Sequence, residues 1–243
     1  MGERLARRVL LLAWSGADWQ LIQPLLDTGR MPHLEQLVDA GTMGNLATLC
    51  PVVSPMLWTS MITGKRADEH GVHGHVEARP DGAGTRPSAS TSLRARPLWQ
   101  IAGDHGLASA VVGWDATHPA GAVGGIAISN QYRVAQGASV ASWPLPPDSV
   151  APAALHDVMR GLRVHPRDLG AEQIAYFTPG AGTRAPARDG PASRLATLLA
   201  ETATDHAAGT WLAAHEAWDL LAVHYGLLDA VCREHSRAAP AAA

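Results

Sequence analysis

A continuous run of apolar residues near the amino terminus constrains the fold most. Residues 8–14 read RVLLLAW, and a turn at Ser15-Gly16 follows directly. Strands buried on both faces of a parallel sheet have this uninterrupted pattern, whereas strands of half-exposed sheets alternate apolar and polar residues. Arginines precede the run, as in a signal peptide, but the apolar stretch 9–13 is too short for that role. The run therefore predicts a buried β-strand.

Helical and strand patterns alternate along the rest of the chain. Helices are predicted at 18–28, 32–40, 55–63, 97–105, 151–163 and 192–215, and strands at 43–49, 108–114, 124–128 and 218–224. The first two helices are each followed by a glycine, Gly29 and Gly41, a residue that commonly ends a helix. The alternation predicts an α/β fold, a three-layer α/β/α sandwich with a mainly parallel central sheet.

Polar and proline-rich stretches suggest how the chain is divided. Residues 78–94 are predicted to form a loop, and 136–153, which contain four prolines, to connect two lobes. Residues 178–192 have the composition of a flexible insert, and 237–243 that of a disordered tail. We expect a single domain over residues 1–236 that is incomplete at its carboxyl terminus.

Composition excludes several classes of protein. The chain has 243 residues, of which 47% are hydrophobic and 17% charged, enough apolar material for a core. The net charge of −3, without a basic stripe, argues against a nucleic-acid partner. No apolar run approaches the ~20 residues of a membrane span. The two cysteines, Cys50 and Cys232, favour a reducing compartment, so a cytoplasmic location is expected.

The segment 51–75, PVVSPMLWTSMITGKRADEHGVHGH, has the strongest chemical content. Ser54 falls where a predicted strand leads into a predicted helix. A hydroxyl there faces the helix amino terminus, where N–H groups and the helix dipole favour an anion such as phosphate. The alternative is that Ser54 only caps the helix, as any serine at such a position can.

The chain resembles the alkaline phosphatase superfamily, and within it the branch of type I phosphodiesterases and nucleotide pyrophosphatases. The matching pieces are VLLLAWSGADW (9–19), RMPHLEQLVDAG (30–41), MGNLATLCPVVSPMLWTSMITG (43–64), HGVHG (70–74), WQIAGDHGLASAVVGW (99–114) and WDLLAVHYGLLDAVC (218–232). The resemblance implies metal-dependent hydrolysis of phosphodiesters or phosphomonoesters. It makes Ser54 the nucleophile, activated by one of two zinc-like divalent ions, and implies a phosphoserine intermediate that water releases.

The chain departs from the family pattern at the metal ligands. Ser15 occupies the position of a ligand aspartate, and its hydroxyl brings no charge to a divalent cation. Asp18 is at best a weak substitute for that aspartate. Asp229 matches a retained ligand, but Arg233 occupies the position of a ligand histidine and has no lone pair to donate. His235 lies two residues further on, about 200° around a helix.

The remaining ligands that the family places further along have no counterpart in this sequence. We therefore expect a truncated hydrolase with a degenerate metal site, weak or inactive on its own toward small phosphoesters. Two alternatives remain open. One is a non-catalytic module that binds phosphate at the Ser54 helix end, and the other is half of a split hydrolase completed by a partner chain. Exposed apolar faces would also favour association with a second copy.

Other candidate sites are less specific. His70, His73 and His75 could hold one metal ion, or His70 could belong to a loop element as the resemblance implies. A Ser-His-Asp hydrolase is disfavoured because no G-x-S-x-G elbow surrounds Ser54. No G-x-G-x-x-G follows a strand, which disfavours a dinucleotide site.

Tryptophans are numerous enough to suggest a platform for stacking carbohydrate. Trp14, Trp58, Trp99 and Trp114 lie in predicted helices and strands. We expect all four in the core rather than at such a platform.

Overall fold

The computed structural model describes residues 6–134, 143–177 and 191–238. The strands are β1 (Val9–Trp14), β2 (Val76–Ala78), β3 (Thr85–Pro87), β4 (Ser109–Val112), β5 (Ile126–Ile128), β6 (Val150–Ala151) and β7 (Leu220–Tyr225). The α-helices are α1 (Trp19–Asp27), α2 (Pro32–Ala40), α3 (Ser54–Thr63), α4 (Ala67–His70), α5 (Leu98–Asp104), α6 (His156–Leu162), α7 (Ala171–Phe177), α8 (Pro191–His215) and α9 (Leu227–Ala238). No helix within the described ranges is long and apolar enough to cross a bilayer.

The central sheet has the strand order β1-β7-β4-β5-β6. β1, β7, β4 and β5 run parallel to one another, and β6 pairs antiparallel with β5. The late strand β7 lies between β1 and β4, which explains why its residues Leu220–Val223 are buried. The prediction of an α/β fold with a mainly parallel sheet is confirmed.

Helices cover both faces of this sheet. On one face, Ile62 of α3 and Trp99 of α5 pack against Val111 of β4. On the other face, Met159 of α6 and Leu212 of α8 join a second apolar cluster. Burial of a large apolar side chain is worth about 1.5–3 kcal/mol, so these two clusters hold the three layers together.

The first strand forms as predicted but is not buried. β1 lies at the edge of the sheet, paired only with β7 among the described strands. Ala13 faces the core, whereas Leu10 and Leu12 are 52% and 56% exposed. The expectation of burial on both faces was wrong, because an apolar run does not reveal whether a strand has one neighbour or two.

The strand predicted at 43–49 is also wrong. Residues 43–52 have no regular structure and every one is exposed, with Leu46 at 87%. In the described part of the chain no strand lies beside this segment. An extended segment without a neighbour has no partner for its backbone hydrogen bonds and does not form a strand.

Other differences concern the connections. The stretch 78–94, predicted as a loop, contributes Ala78 to β2 and contains all of β3, which pairs with β2 as a hairpin. The predicted connector 136–153 ends in β6, which joins the central sheet, and residues 135–142 lie outside the described ranges. Most of the predicted insert, 178–190, and the tail residues 239–243 also lie outside them. α7 was not predicted.

Candidate active site

Three segments meet at the carboxyl edge of β1. Ser15 directly follows β1, Ser54 begins α3, and Asp229 lies in the first turn of α9, just after β7. β1 and β7 are parallel, so their carboxyl ends lie at the same edge of the sheet, where open α/β sheets commonly bind ligands. The Ser15 amide donates to the Tyr225 carbonyl at 2.9 Å, and the Asp229 amide donates to the Ser15 carbonyl at 3.1 Å. These bonds fix α9 against the end of β1.

A glycine allows this close approach. Gly16 has a φ of +80°, a left-handed conformation that side chains other than glycine rarely adopt. A Cβ at this position would lie 2.8 Å from the backbone of Asp229. The Ser15-Gly16 turn therefore requires its glycine in order to bring Asp229 beside β1.

The hydroxyl of Ser54 points toward Ser15. Val53 is the residue that precedes the first turn of α3, and no side chain caps this helix end. The Oγ atoms of Ser54 and Ser15 are 3.4 Å apart. The interpretation of Ser54 as a helix cap is therefore wrong. Pro55 follows in the first turn, where a missing N–H costs nothing, and it is buried.

Arg233 holds the carboxylate of Asp229. Arg233 Nε donates to Asp229 Oδ1 at 2.9 Å, and Nη2 donates to Oδ2 at 2.6 Å, so both oxygens are engaged. The pair spans one turn of α9, and these hydrogen bonds raise the pKa of Arg233. Asp18, the possible substitute ligand, instead caps α1, where its Oδ1 accepts from the Gln20 amide at 2.7 Å.

The possible metal site at His70, His73 and His75 does not form in the described structure. His70 is buried, its Nε2 lies 3.0 Å from Ser60 Oγ, and its Nδ1 accepts from the Val72 amide at 3.1 Å. Burial lowers the pKa of His70. His73 and His75 are exposed. Over the described ranges, no three His, Cys, Asp or Glu side chains come together as a metal site.

Sequence reasoning missed His224, which is buried on β7. Its ring lies between Trp58 and Trp114, with centroid distances of 4.9 and 5.7 Å. Its Nδ1 is 3.3 Å from the Gly113 carbonyl, an acceptor, so Nδ1 carries the ring proton. Burial lowers the pKa of His224. The sequence feature that could have indicated a buried histidine is its position directly after the apolar stretch Leu220–Val223.

The tryptophan prediction holds for the inner residues only. Trp99 and Trp114 are buried in the core, and Trp58 packs partly buried against the same cluster. Trp14, at the end of the edge strand, is 47% exposed, so its assignment to the core was wrong.

A buried ion pair lies behind the same edge. Arg133 Nη1 donates to Asp205 Oδ2 at 2.6 Å and to the Gly113 carbonyl at 3.2 Å. Gly113 has a φ of +67°, and a Cβ there would lie 2.8 Å from Asp205 Oδ2. Burial raises the pKa of Asp205, and the facing guanidinium opposes that rise.

The fold and this edge define a three-layer α/β protein whose polar residues gather where its parallel strands end. The type I phosphodiesterase/nucleotide pyrophosphatase family matches residues 9–242, and the chain belongs to that family. It is a family of phosphoester hydrolases that generally depend on a divalent metal. Among curated proteins none matches.

Two crystal structures of phosphonoacetate hydrolase from Sinorhizobium meliloti 1021 are similar to the chain. The complex with phosphonoacetate is 17% identical with a TM-score of 0.49, and the match covers 89% of this chain and 45% of that one. The complex with phosphonoformate is 15% identical with a TM-score of 0.46, and the match covers 95% and 53%. The chain thus spans about half the length of the solved structures that it matches.

The residues of this edge do not fit a pair of divalent ions. Ser15 offers an uncharged hydroxyl, and both oxygens of Asp229 are bonded to a guanidinium. Divalent metals are held by carboxylates, imidazoles and thiolates, and a fixed positive charge repels them. The mismatch therefore follows from the chemical nature of the side chains at this edge.

Proposed function

We propose that this chain carries the nucleophile side of a phosphoester hydrolase site, with Ser54 as the attacking residue. The observation that carries the proposal is the position of Ser54 at the start of α3, with its hydroxyl 3.4 Å from Ser15 at the carboxyl edge of β1. Partial positive charge at a helix amino terminus favours a phosphate group there.

The reaction would be an in-line displacement at phosphorus. The Ser54 oxygen forms a bond to phosphorus, the bond to the ester oxygen breaks, and the leaving group takes up a proton as an alcohol. Water then displaces Ser54 from the phosphoserine, which restores the hydroxyl and releases the phosphate product. Substrates of this chemistry are small phosphodiesters or phosphomonoesters.

The chain alone is proposed to turn over such substrates weakly or not at all. Asp229 is the retained family ligand, whereas Ser15 and Arg233 replace an aspartate and a histidine. Loss of partners that merely support a metal ligand costs about 10–100-fold in affinity or activity, and loss of the ligands themselves costs more. The proposed cofactor of an intact site is a divalent ion, zinc in the family.

A chromogenic phosphodiester assay tests this proposal. We expect bis(p-nitrophenyl) phosphate, with added Zn²⁺ or Mn²⁺, to be hydrolysed no faster by the wild-type chain than by Ser54→Ala. Thr63→Ala, which removes a hydroxyl from the last turn of the same helix, is the matched control. Turnover that is lost in Ser54→Ala but kept in Thr63→Ala would show a working hydrolase and contradict the proposed impairment.

Two further candidates are each favoured by one observation. The start of α3 lacks a side-chain cap, which favours a non-catalytic module that binds phosphate. The exposed edge strand β1 favours half of a split hydrolase, completed by a partner chain. Calorimetry with inorganic phosphate distinguishes them: Ser54-dependent binding without turnover supports the module, and turnover gained only with a second chain supports the split enzyme.

The free, exposed cysteines favour a reducing compartment, and we propose the cytoplasm.

A further inference from the structure

Ser54, Ser15, Asp229 and Arg233 are connected in that order by hydrogen-bond contacts at the carboxyl edge of β1. The Asp229 amide bonds to the Ser15 carbonyl, and the hydroxyls of Ser15 and Ser54 face each other. Asp229 and Arg233 lie one turn apart, on the same face of α9. The positive charge that contacts Asp229 is therefore the guanidinium of Arg233, a residue of the same helix.

We propose that Arg233 is the resident cation of this site, where its guanidinium replaces a divalent ion as the charge partner of Asp229. The inference rests on the proposed function only for the location of the site, because it concerns which cation binds there and not whether Ser54 reacts. The proposal goes beyond the loss of a histidine ligand at position 233, because Arg233 also binds the carboxylate of the retained ligand, Asp229.

The geometry of the ion pair supports this assignment. A guanidinium presents a planar fork that matches a carboxylate with two parallel hydrogen bonds, and the contacts at 2.9 and 2.6 Å have that form. A divalent ion could reach Asp229 only by displacing the fork, and the fixed positive charge would remain beside it. Exposed ion pairs are weak, so the obstruction arises from occupancy and repulsion rather than from a large binding energy.

The same geometry makes the position a latent metal site. Asp229 is held in place through its backbone by Ser15 and by the close approach of Gly16. A histidine at position 233 would place a metal donor one helical turn from Asp229, and an aspartate at position 15 would add a carboxylate to the residue whose backbone bonds to Asp229. Carboxylate and imidazole together suit divalent transition metals.

The test is the affinity of the purified chain for Co²⁺, measured by calorimetry and by the visible absorption of the bound ion. We expect the double variant Ser15→Asp/Arg233→His to bind one ion near Asp229 more tightly than the wild type by about tenfold or more, as outer partners alone can change metal affinity that much. Arg233→Met removes the charge without adding a donor and should bind less tightly than Arg233→His.

A second control tests whether any exposed histidine–carboxylate pair on the surface binds Co²⁺ as tightly as the double variant. Lys65 and Glu69 form an exposed ion pair with the same spacing, 2.9 Å apart. Lys65→His creates a comparable pair away from the site, and we expect it to bind Co²⁺ less tightly than the double variant. Thermal melting verifies that each variant folds. If the double variant does not fold, the single variant Arg233→His tests the proposal. We expect it to bind Co²⁺ more tightly than the wild type and Arg233→Met.

Two results would overturn the proposal. One is a wild-type chain that binds Co²⁺ as tightly as the folded double variant. The other is a folded double variant that binds no more tightly than Lys65→His. Ser54-dependent turnover by a wild-type chain without added affinity for metal would contradict the proposed impairment and leave this inference standing, so the two failures are distinguishable.

Discussion

Single side chains set the charge of the candidate site. Ser15 and Ser54 contribute hydroxyls 3.4 Å apart, and the carboxylate of Asp229 is bound by Arg233 at both oxygens. One arginine thus engages both oxygens of the carboxylate, while backbone hydrogen bonds hold the surrounding segments at the edge of the sheet. The charge of the candidate site therefore depends on the identity of these side chains more than on the fold.

His70 predicts a pH dependence of stability. Burial lowers its pKa below the ordinary value of 6.5, and its Nδ1 must stay unprotonated to accept from the Val72 amide. The unfolded chain therefore binds this proton more readily than the folded one. The stability that depends on neutral His70 is complete above the unfolded-state pKa and is lost as pH falls through about 6.5 toward the folded-state pKa. We expect urea unfolding to require less free energy at about pH 5.5 than at about pH 7.5.

Nuclear magnetic resonance of the histidine rings checks the cause. We expect His70 to keep its proton on Nε2, beside Ser60, at pH values where a histidine in an unfolded peptide is already charged. Replacing the exposed His33 on α2 with glutamine should leave the dependence of stability on pH unchanged. The explanation fails if His70 takes up its second proton at the same pH as the unfolded peptide.

At the scale of secondary-structure elements, a buried ion pair joins α8 to the segment after β5. Asp205 of α8 is 3% exposed and bonds to Arg133, which also bonds to the Gly113 carbonyl at the end of β4. Removal of one member of a buried pair leaves the other charge in the interior without compensation. This contact thus couples the packing of α8 to the carboxyl edge of the sheet.

We expect Asp205→Ala to lower the free energy of unfolding by about 3 kcal/mol or more, the usual effect of breaking a buried pair. Urea denaturation measures it. The matched control is Asp157→Ala, which removes the acidic partner of Arg160 from an exposed pair on α6 and should change stability little. Equal effects of the two substitutions would show that Asp205 contributes no more than a surface charge.

At the scale of the whole molecule, the edge strand β1 presents a run of exposed apolar side chains. Val9, Leu10, Leu12 and Trp14 are each about half exposed, and β1 pairs on one side only within the described sheet. An apolar edge strand with unpaired backbone groups is a template for another strand. We propose that it mediates association with a second copy of the chain.

Sedimentation at a series of protein concentrations tests that association. We expect the mass of the wild-type chain to rise with concentration and Leu12→Lys to suppress the rise, because a lysine on an edge strand disfavours pairing with another strand. Leu46→Lys, in the exposed segment outside the sheet, is the control and should leave the association unchanged. A wild-type monomer at every concentration, with a cooperative melting transition, would rule this out.

Much of the local structure could be predicted from the sequence. The apolar runs gave β1, β4, β5 and β7, and the helical patterns gave α1, α2, α3, α5 and α8 close to their observed bounds. The family resemblance singled out Ser54, Ser15, Asp229 and Arg233, which contact one another in the structure, and their roles in catalysis and metal binding stay predictions. The secondary-structure predictions succeed because local burial leaves a periodic pattern of apolar residues in the sequence.

Neighbours across the sheet were decided only by the tertiary structure. The apolar pattern of β1 resembles that of β7, but β7 is central and β1 lies at the edge, because strand order depends on contacts between residues more than 200 positions apart. For the same reason the segment 43–49 has strand-like composition without a strand partner. The fork between Arg233 and Asp229 and the burial of His224 between two tryptophans likewise depend on distances between atoms, which periodicity and spacing along the chain do not determine.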